Sequence, residues 1–128
     1  MSHILIIDDE TDIRLLVAML LESAGHTVAD AASGEEGLSY LVTHGADCVF
    51  LDINMPGMNG WEVCRRIKAD PATAKIPVII QTVRSALQDT TELESTKPDG
   101  FLNKPFDKSD LLAAMDQVMG AATPPGKA

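Results

Sequence analysis

Five short apolar runs, separated by segments of helical spacing or by turn-forming residues, constrain this chain more than any other feature. Ile4 to Ile7 is a continuous β-branched and leucine run that suits a strand covered on both faces, and it stops at Asp8. From Ile13 the period changes: Ile13, Leu16, Val17, Leu20, Leu21 and Ala24 follow one helix face, and Gly25 supplies the stop. Thr27 to Ala31 is a weaker strand. Ser33 with Glu36 three residues later is a capping-box pattern, opening a helix expected to bury Leu38, Leu41 and Val42 before Gly45. Cys48 to Leu51 is a third strand, ending at Asp52. The turn-rich loop Asn54 to Asn59 follows, and Asn59 with Glu62 repeats the cap pattern ahead of Val63, Cys64 and Ile67.

Pro71 closes that helix, and Pro77 stands where a strand tolerates a missing amide, before Val78 to Ile80. Residues 84–96 should hold a short or mobile helix, weakened by Thr90, Thr91 and Thr96. Phe101 and Leu102 make a brief last strand, and Asp107 with Asp110 opens a helix whose face is Leu111, Leu112, Met115 and Val118. Short connections between such units predict an α/β protein: a doubly wound, five-stranded parallel sheet with helices on both faces.

At 128 residues, 45% hydrophobic and 23% charged, the chain has material for one core, so one domain is expected over residues 1–120. Residues 121–128 read as a flexible tail or the start of a linker. A formal charge of −9 with scattered Lys and Arg disfavours direct nucleic-acid binding and anionic membranes. The opening apolar run is too short for a signal peptide or membrane span, and Cys48 and Cys64 have apolar neighbours and no disulfide or metal spacing. A cytoplasmic protein with reduced thiols, and no membrane insertion, is expected.

In a parallel sheet of this kind, ligands bind beyond the carboxyl ends of the strands. Those ends carry Asp8, Asp9, Asp52, Thr82 and Lys104. Gathered carboxylates repel one another unless a cation compensates, and Mg²⁺ suits an all-oxygen set. His3, His26 and His44 lie far apart in the pattern, so zinc has no evident site, and the D-x-D-x-D-G spacing of a calcium loop is absent. There is no glycine-rich phosphate cradle and no serine elbow. A cation beside a lysine receives phosphoryl oxygens, and a neighbouring carboxylate can form an acyl phosphate. Phosphoryl transfer onto an aspartate of the protein itself accounts for the whole set.

The motifs resemble the receiver domains of response regulators, the CheY-like family of two-component signalling, over Ser2 to Met119. The resemblance rests on the acidic pair Asp8-Asp9, on Asp52 in LDINMPGMNG, on Thr82, and on Lys104-Pro105-Phe106. It implies the flavodoxin-like strand order 2-1-3-4-5 and a phosphoacceptor switch rather than a turnover enzyme, with Asp52 receiving a phosphoryl group from histidine. It also implies Mg²⁺, for which Mn²⁺ can substitute. Asp9, Asp52 and the Asn54 carbonyl would bind the metal directly, and Asp8 through water. Lys104 would pair with Asp52 and then with the phosphoryl group. Thr82 would bond another phosphoryl oxygen, and the Phe101 rotamer would follow it. The Lys104–Pro105 bond would be cis.

The implied partners are a histidine kinase or histidine phosphotransfer protein, and a downstream output protein or output domain. Leu15, Ala18 and Met19, expected off the core face of the first helix, would form the kinase contact. Two departures from the family pattern stand out. Val83 replaces the alanine common after the threonine and would gate access to Asp52. Lys97-Pro98-Asp99 replaces the usual G-A-D, at a surface that often recognises partners. The alternative is an adaptor that binds a partner through this fold without being phosphorylated.

Overall fold

A computed structural model of the chain describes residues 2–53, 55, 57–82, 98–103 and 106–120, with Thr82 and Asn103 described by their backbone alone. Nine elements follow in order among these residues: β1 (His3–Ile7), α1 (Thr11–Ser23), β2 (Thr27–Ala31), α2 (Gly34–His44), β3 (Cys48–Asp52), α3 (Gly60–Ala69), β4 (Val78–Thr82), β5 (Gly100–Asn103) and α4 (Lys108–Gly120). The strands form one parallel sheet in the order β2-β1-β3-β4-β5. The expected helix over 84–96, the Lys104–Pro105 bond and the tail 121–128 lie outside the described residues.

Because strand side chains alternate, the central strands feed two cores at once. Leu5, Ile7, Val49, Leu51, Val78 and Ile80 pack with Leu41 of α2 and with Val63, Cys64 and Ile67 of α3. Ile4, Ile6, Cys48, Phe50 and Ile79 face Val17 and Leu21 of α1 and Leu111, Ala114 and Met115 of α4. The sheet is therefore wound on both sides. Its central strands read as unbroken apolar runs because both of their faces are buried.

Local signals set the helix ends. At the end of α1 the His26 N–H donates to the Leu21 carbonyl and the Gly25 N–H to that of Glu22, a Schellman closure that uses the positive φ of Gly25, 96°. Ser33 Oγ accepts from the Glu36 N–H at 3.2 Å, Asn59 Oδ1 from Glu62 at 3.0 Å, and Asp107 Oδ1 from Asp110 at 2.8 Å. All three caps stand where the sequence predicts them.

Four residues depart from the expected faces. The buried stripe of α1 is rotated towards Ala18, which packs on the core, and Leu16 is 45% exposed. The same rotation lets Arg14 donate to the Asp8 carbonyl and to the Asp30 carboxylate. Ala24 is the exposed C-cap of α1 instead of part of its buried face. On α2, Val42 is 69% exposed because the packing face includes Gly34 and Gly37, which bring the helix against α3 and β1. A Cβ on Gly37 would stand 2.4 Å from Ile7 Cδ1.

The closest approach of all is at Gly60, the first residue of α3. A Cβ there would lie 2.3 Å from the Asp52 carbonyl oxygen and 2.6 Å from the Ile53 Cα, both main-chain atoms. The Gly60 N–H donates to the Ile53 carbonyl at 3.0 Å. Gly60→Ala must therefore push α3 away from the end of β3. It should destabilise the fold by roughly 2–3 kcal/mol, read as a lower urea midpoint.

Both cysteines are buried. Burial pushes the Cys48 thiol up to about 12. The unfolded chain gives up this proton near 9.0 while the folded chain keeps it until about 12, so the group's contribution to stability is full below 9.0 and lost as pH rises to about 12. Cys48 should resist alkylation at pH 8 in the folded protein and label rapidly in denaturant, as followed by peptide mass analysis. Fast labelling of the native protein would contradict the burial.

Candidate functional site

The sheet's register assembles the site. Ile7 pairs with Leu51 and Asp52 with Gln81, so the ends of β1, β3 and β4 come level. Asp8 continues β1 by one residue, with its N–H donating to the Ala31 carbonyl at 3.1 Å. Asp8 is fully buried and Asp52 is 2% exposed. One ligand atom from each of Asp8, Asp9, Glu10 and Asp52 lies within 4.8 Å of the others.

The acids are held unequally. Asp8 Oδ1 accepts from the Glu10 N–H at 2.9 Å, and Oδ2 accepts from Gln81 Nε2 at 3.1 Å. The Asp8 carbonyl accepts from Arg14 at 2.8 Å, and Arg14 is tied in turn to Asp30 at 2.9 Å. The loop after β1 is thus pinned to α1 and, through Arg14, to β2. Asp9 differs: its Oδ1 is buried, and no donor reaches it among the described residues.

A buried carboxylate oxygen without a donor is costly to leave unmet, and three further carboxylates beside it compound the repulsion. The donor set consists of oxygens only, with no imidazole or thiolate, which is the chemistry of a hard divalent cation. The residues present therefore fit a divalent metal.

Of the residues singled out from sequence, the fold brings Asp8, Asp9 and Asp52 together. Thr82 ends β4 directly after Gln81, and its backbone pairs with Asn103. Phe101 pairs with Ile80 and is 39% exposed. Asn54, Val83 and Lys104 lie outside the described residues.

Two features were not anticipated. Glu10 joins the acids, a role its place in the run Asp8-Asp9-Glu10 could have suggested. Gln81, fully buried, contacts Asp8, and the signal for it was a lone amide inside the apolar strand Val78–Thr82. Nor do the histidines all stay apart. Near the other end of the sheet His3 hydrogen-bonds the Tyr40 hydroxyl, and His44 stacks on the Tyr40 ring at 4.5 Å.

The sequence matches the model of the response regulator receiver domain over residues 4–116. It is 39% identical to the DNA-binding dual master transcriptional regulator RpaA of Synechocystis over 119 residues, covering 93% of this chain and 49% of that protein. It is 37% identical to the protein PilH of Pseudomonas aeruginosa over 120 residues, covering 93% of this chain and 98% of that one. The chain therefore spans about half the length of some relatives, RpaA among them, and nearly all of PilH. The structure superposes on the chemotaxis protein CheY4 of Vibrio cholerae with a TM-score of 0.87 at 30% identity, covering 92% of this chain and 98% of CheY4. A signal receiver domain of a signal transduction histidine kinase from Syntrophus aciditrophicus gives 0.87 at 26% identity, covering 98% and 96%. With a family match running from β1 into α4 and superpositions that cover nearly all of the chain, this chain belongs to the response regulator receiver domain family.

Proposed function

We propose that Asp52 accepts a phosphoryl group from a phosphohistidine donor, with Mg²⁺ beside it, and that the chain acts as a phosphorylation switch in a two-component relay. The observation that carries this reading is the buried Asp52 carboxylate gathered with Asp8, Asp9 and Glu10 within 4.8 Å. Asp9, through its unpartnered Oδ1, and Asp52 are the direct metal ligands, joined by the Asn54 carbonyl. Asp8, already bonded at both oxygens, acts through water. Mn²⁺ can replace Mg²⁺ in an all-oxygen set of this kind. When bound, the metal neutralises charge between the phosphoryl oxygens and the carboxylates.

In the transfer an Asp52 oxygen forms the new O–P bond as the donor's N–P bond breaks, and the departing imidazole keeps its ring nitrogen pair or takes a proton from solvent. Lys104 pairs with a phosphoryl oxygen, and the Thr82 hydroxyl donates to another. Phe101, partly exposed at rest, turns as Thr82 moves. Val83 narrows the approach to Asp52, since a β-branched side chain has few ways to swing aside. The chain is a phosphoacceptor, not a turnover enzyme.

Acetyl phosphate with Mg²⁺ should add one phosphoryl group to the intact protein, and chelation should abolish the addition. Asp52→Asn should lower the labelling rate by more than about 100-fold. Equal labelling of Asp52→Asn, or an adduct mapped to another residue, overturns the assignment.

The donor is a histidine kinase or a histidine phosphotransfer protein, and the signal passes to an output protein or a linked output domain. On α1, Leu15, Leu16 and Met19 are 56%, 45% and 66% exposed. They are neighbours at helical spacing, an apolar patch suited to a helix of the donor. Replacing Leu15 and Met19 with Ser should slow transfer from the kinase by about tenfold, corresponding to ~1.4 kcal/mol, and leave labelling by acetyl phosphate unchanged. Unchanged kinase kinetics would remove α1 from the contact.

A further inference from the structure

Gln81 is the one polar residue in β4 before its terminal Thr82, and it is fully buried. It stands in register with Asp52 on β3, yet its Nε2 donates to Asp8 Oδ2 at 3.1 Å, at the end of β1. Since β1 and β4 flank β3, this side chain spans the strand that carries Asp52. The amide orientation is fixed, because only the nitrogen can face a carboxylate oxygen. That leaves Oε1 buried, with no donor among the described residues.

This arrangement is unfavourable for the fold taken alone. Leu or Met would fill the same space between two apolar layers without stranding a carbonyl oxygen. What Gln81 does supply is a side-chain clamp on Asp8, opposite the backbone donor from Glu10. The Glu10 N–H holds Oδ1, Gln81 holds Oδ2, and between them the carboxylate plane is set.

We propose that Gln81 is a positioning residue of the cation site, orienting the Asp8 carboxylate across β3 so that the site is shaped for a small, octahedral divalent ion. The proposal rests on the reading of the acids as an Mg²⁺ site. Mg²⁺ demands near-ideal octahedral geometry and keeps several waters, whereas Ca²⁺ accepts irregular shells. A loosened Asp8 therefore penalises Mg²⁺ selectively. Residues that orient metal-site groups through hydrogen bonds commonly change affinity by about 10–100-fold when replaced.

The test is calorimetric titration of the full chain with Mg²⁺ and, separately, Ca²⁺, together with thermal melts in chelator. Gln81→Leu and Gln81→Met are each compared with the unmodified protein. The expected result is an Mg²⁺ Kd raised about tenfold in both variants and a Ca²⁺ Kd changed by less than about twofold, with the metal-free Tm equal to or above that of the parent. Unchanged Mg²⁺ affinity in a parent that binds Mg²⁺ overturns the positioning role and leaves the phosphoacceptor reading intact. An equal loss for both ions, or a loss that accompanies a lower metal-free Tm, also overturns it by assigning Gln81 to the fold. A parent that binds neither ion overturns the metal site itself and the positioning role with it.

Discussion

Like charges do not gather at a sheet edge unless something stronger holds them there. Here the restraint is the parallel register of β1, β3 and β4, fixed by apolar rows buried on both faces, which leaves Asp8 and Asp52 level at the carboxyl end. A slip of one residue would exchange the two faces of a strand and place its carboxylate on the wrong side. The rigidity of the core is thus what keeps the acids close, and a cation is the natural means of relieving the repulsion that results.

Opposite ends of the sheet are tied differently. Among the described residues, Asp8 is the hub at the carboxyl end, with Arg14 joining the acid loop to α1 and β2. At the amino end Asp99 Oδ2 accepts both from the Val78 N–H at 2.8 Å and from Lys68 Nζ at 2.6 Å, and Lys68 also donates to the Ile76 carbonyl. Asp99 belongs to the Lys97-Pro98-Asp99 sequence that departs from the family pattern. It acts here as a brace between α3, β4 and the entry to β5.

Strands, caps and acids were legible because each leaves a local mark: unbroken apolar runs, Ser or Asn three residues before Glu, and an aspartate just past a strand. The faces of α1 and α2 were less so, because hydrophobic spacing cannot register the glycines that form a packing surface on α2, nor the pull of Arg14 towards Asp8 and Asp30. Ala18 against Leu16, and Val42 against Gly34 and Gly37, show the same limit. Gln81 escaped because its partner is 73 residues away, and only the strand order makes them neighbours.

Gly60 differs from the glycines of α2 in what it touches, and that difference governs how the sequence can drift. At Gly37 and Gly34 the nearest obstacles are side-chain atoms of Ile7 and Val63, so a larger residue at either place could be accommodated by a smaller one at its partner. Those positions should covary. At Gly60 the obstacles are the Asp52 carbonyl and the Ile53 Cα, for which no substitution elsewhere can make room. Position 60 is therefore frozen, and its fixity is the mark, one loop downstream, of where the backbone of Asp52 and Ile53 runs.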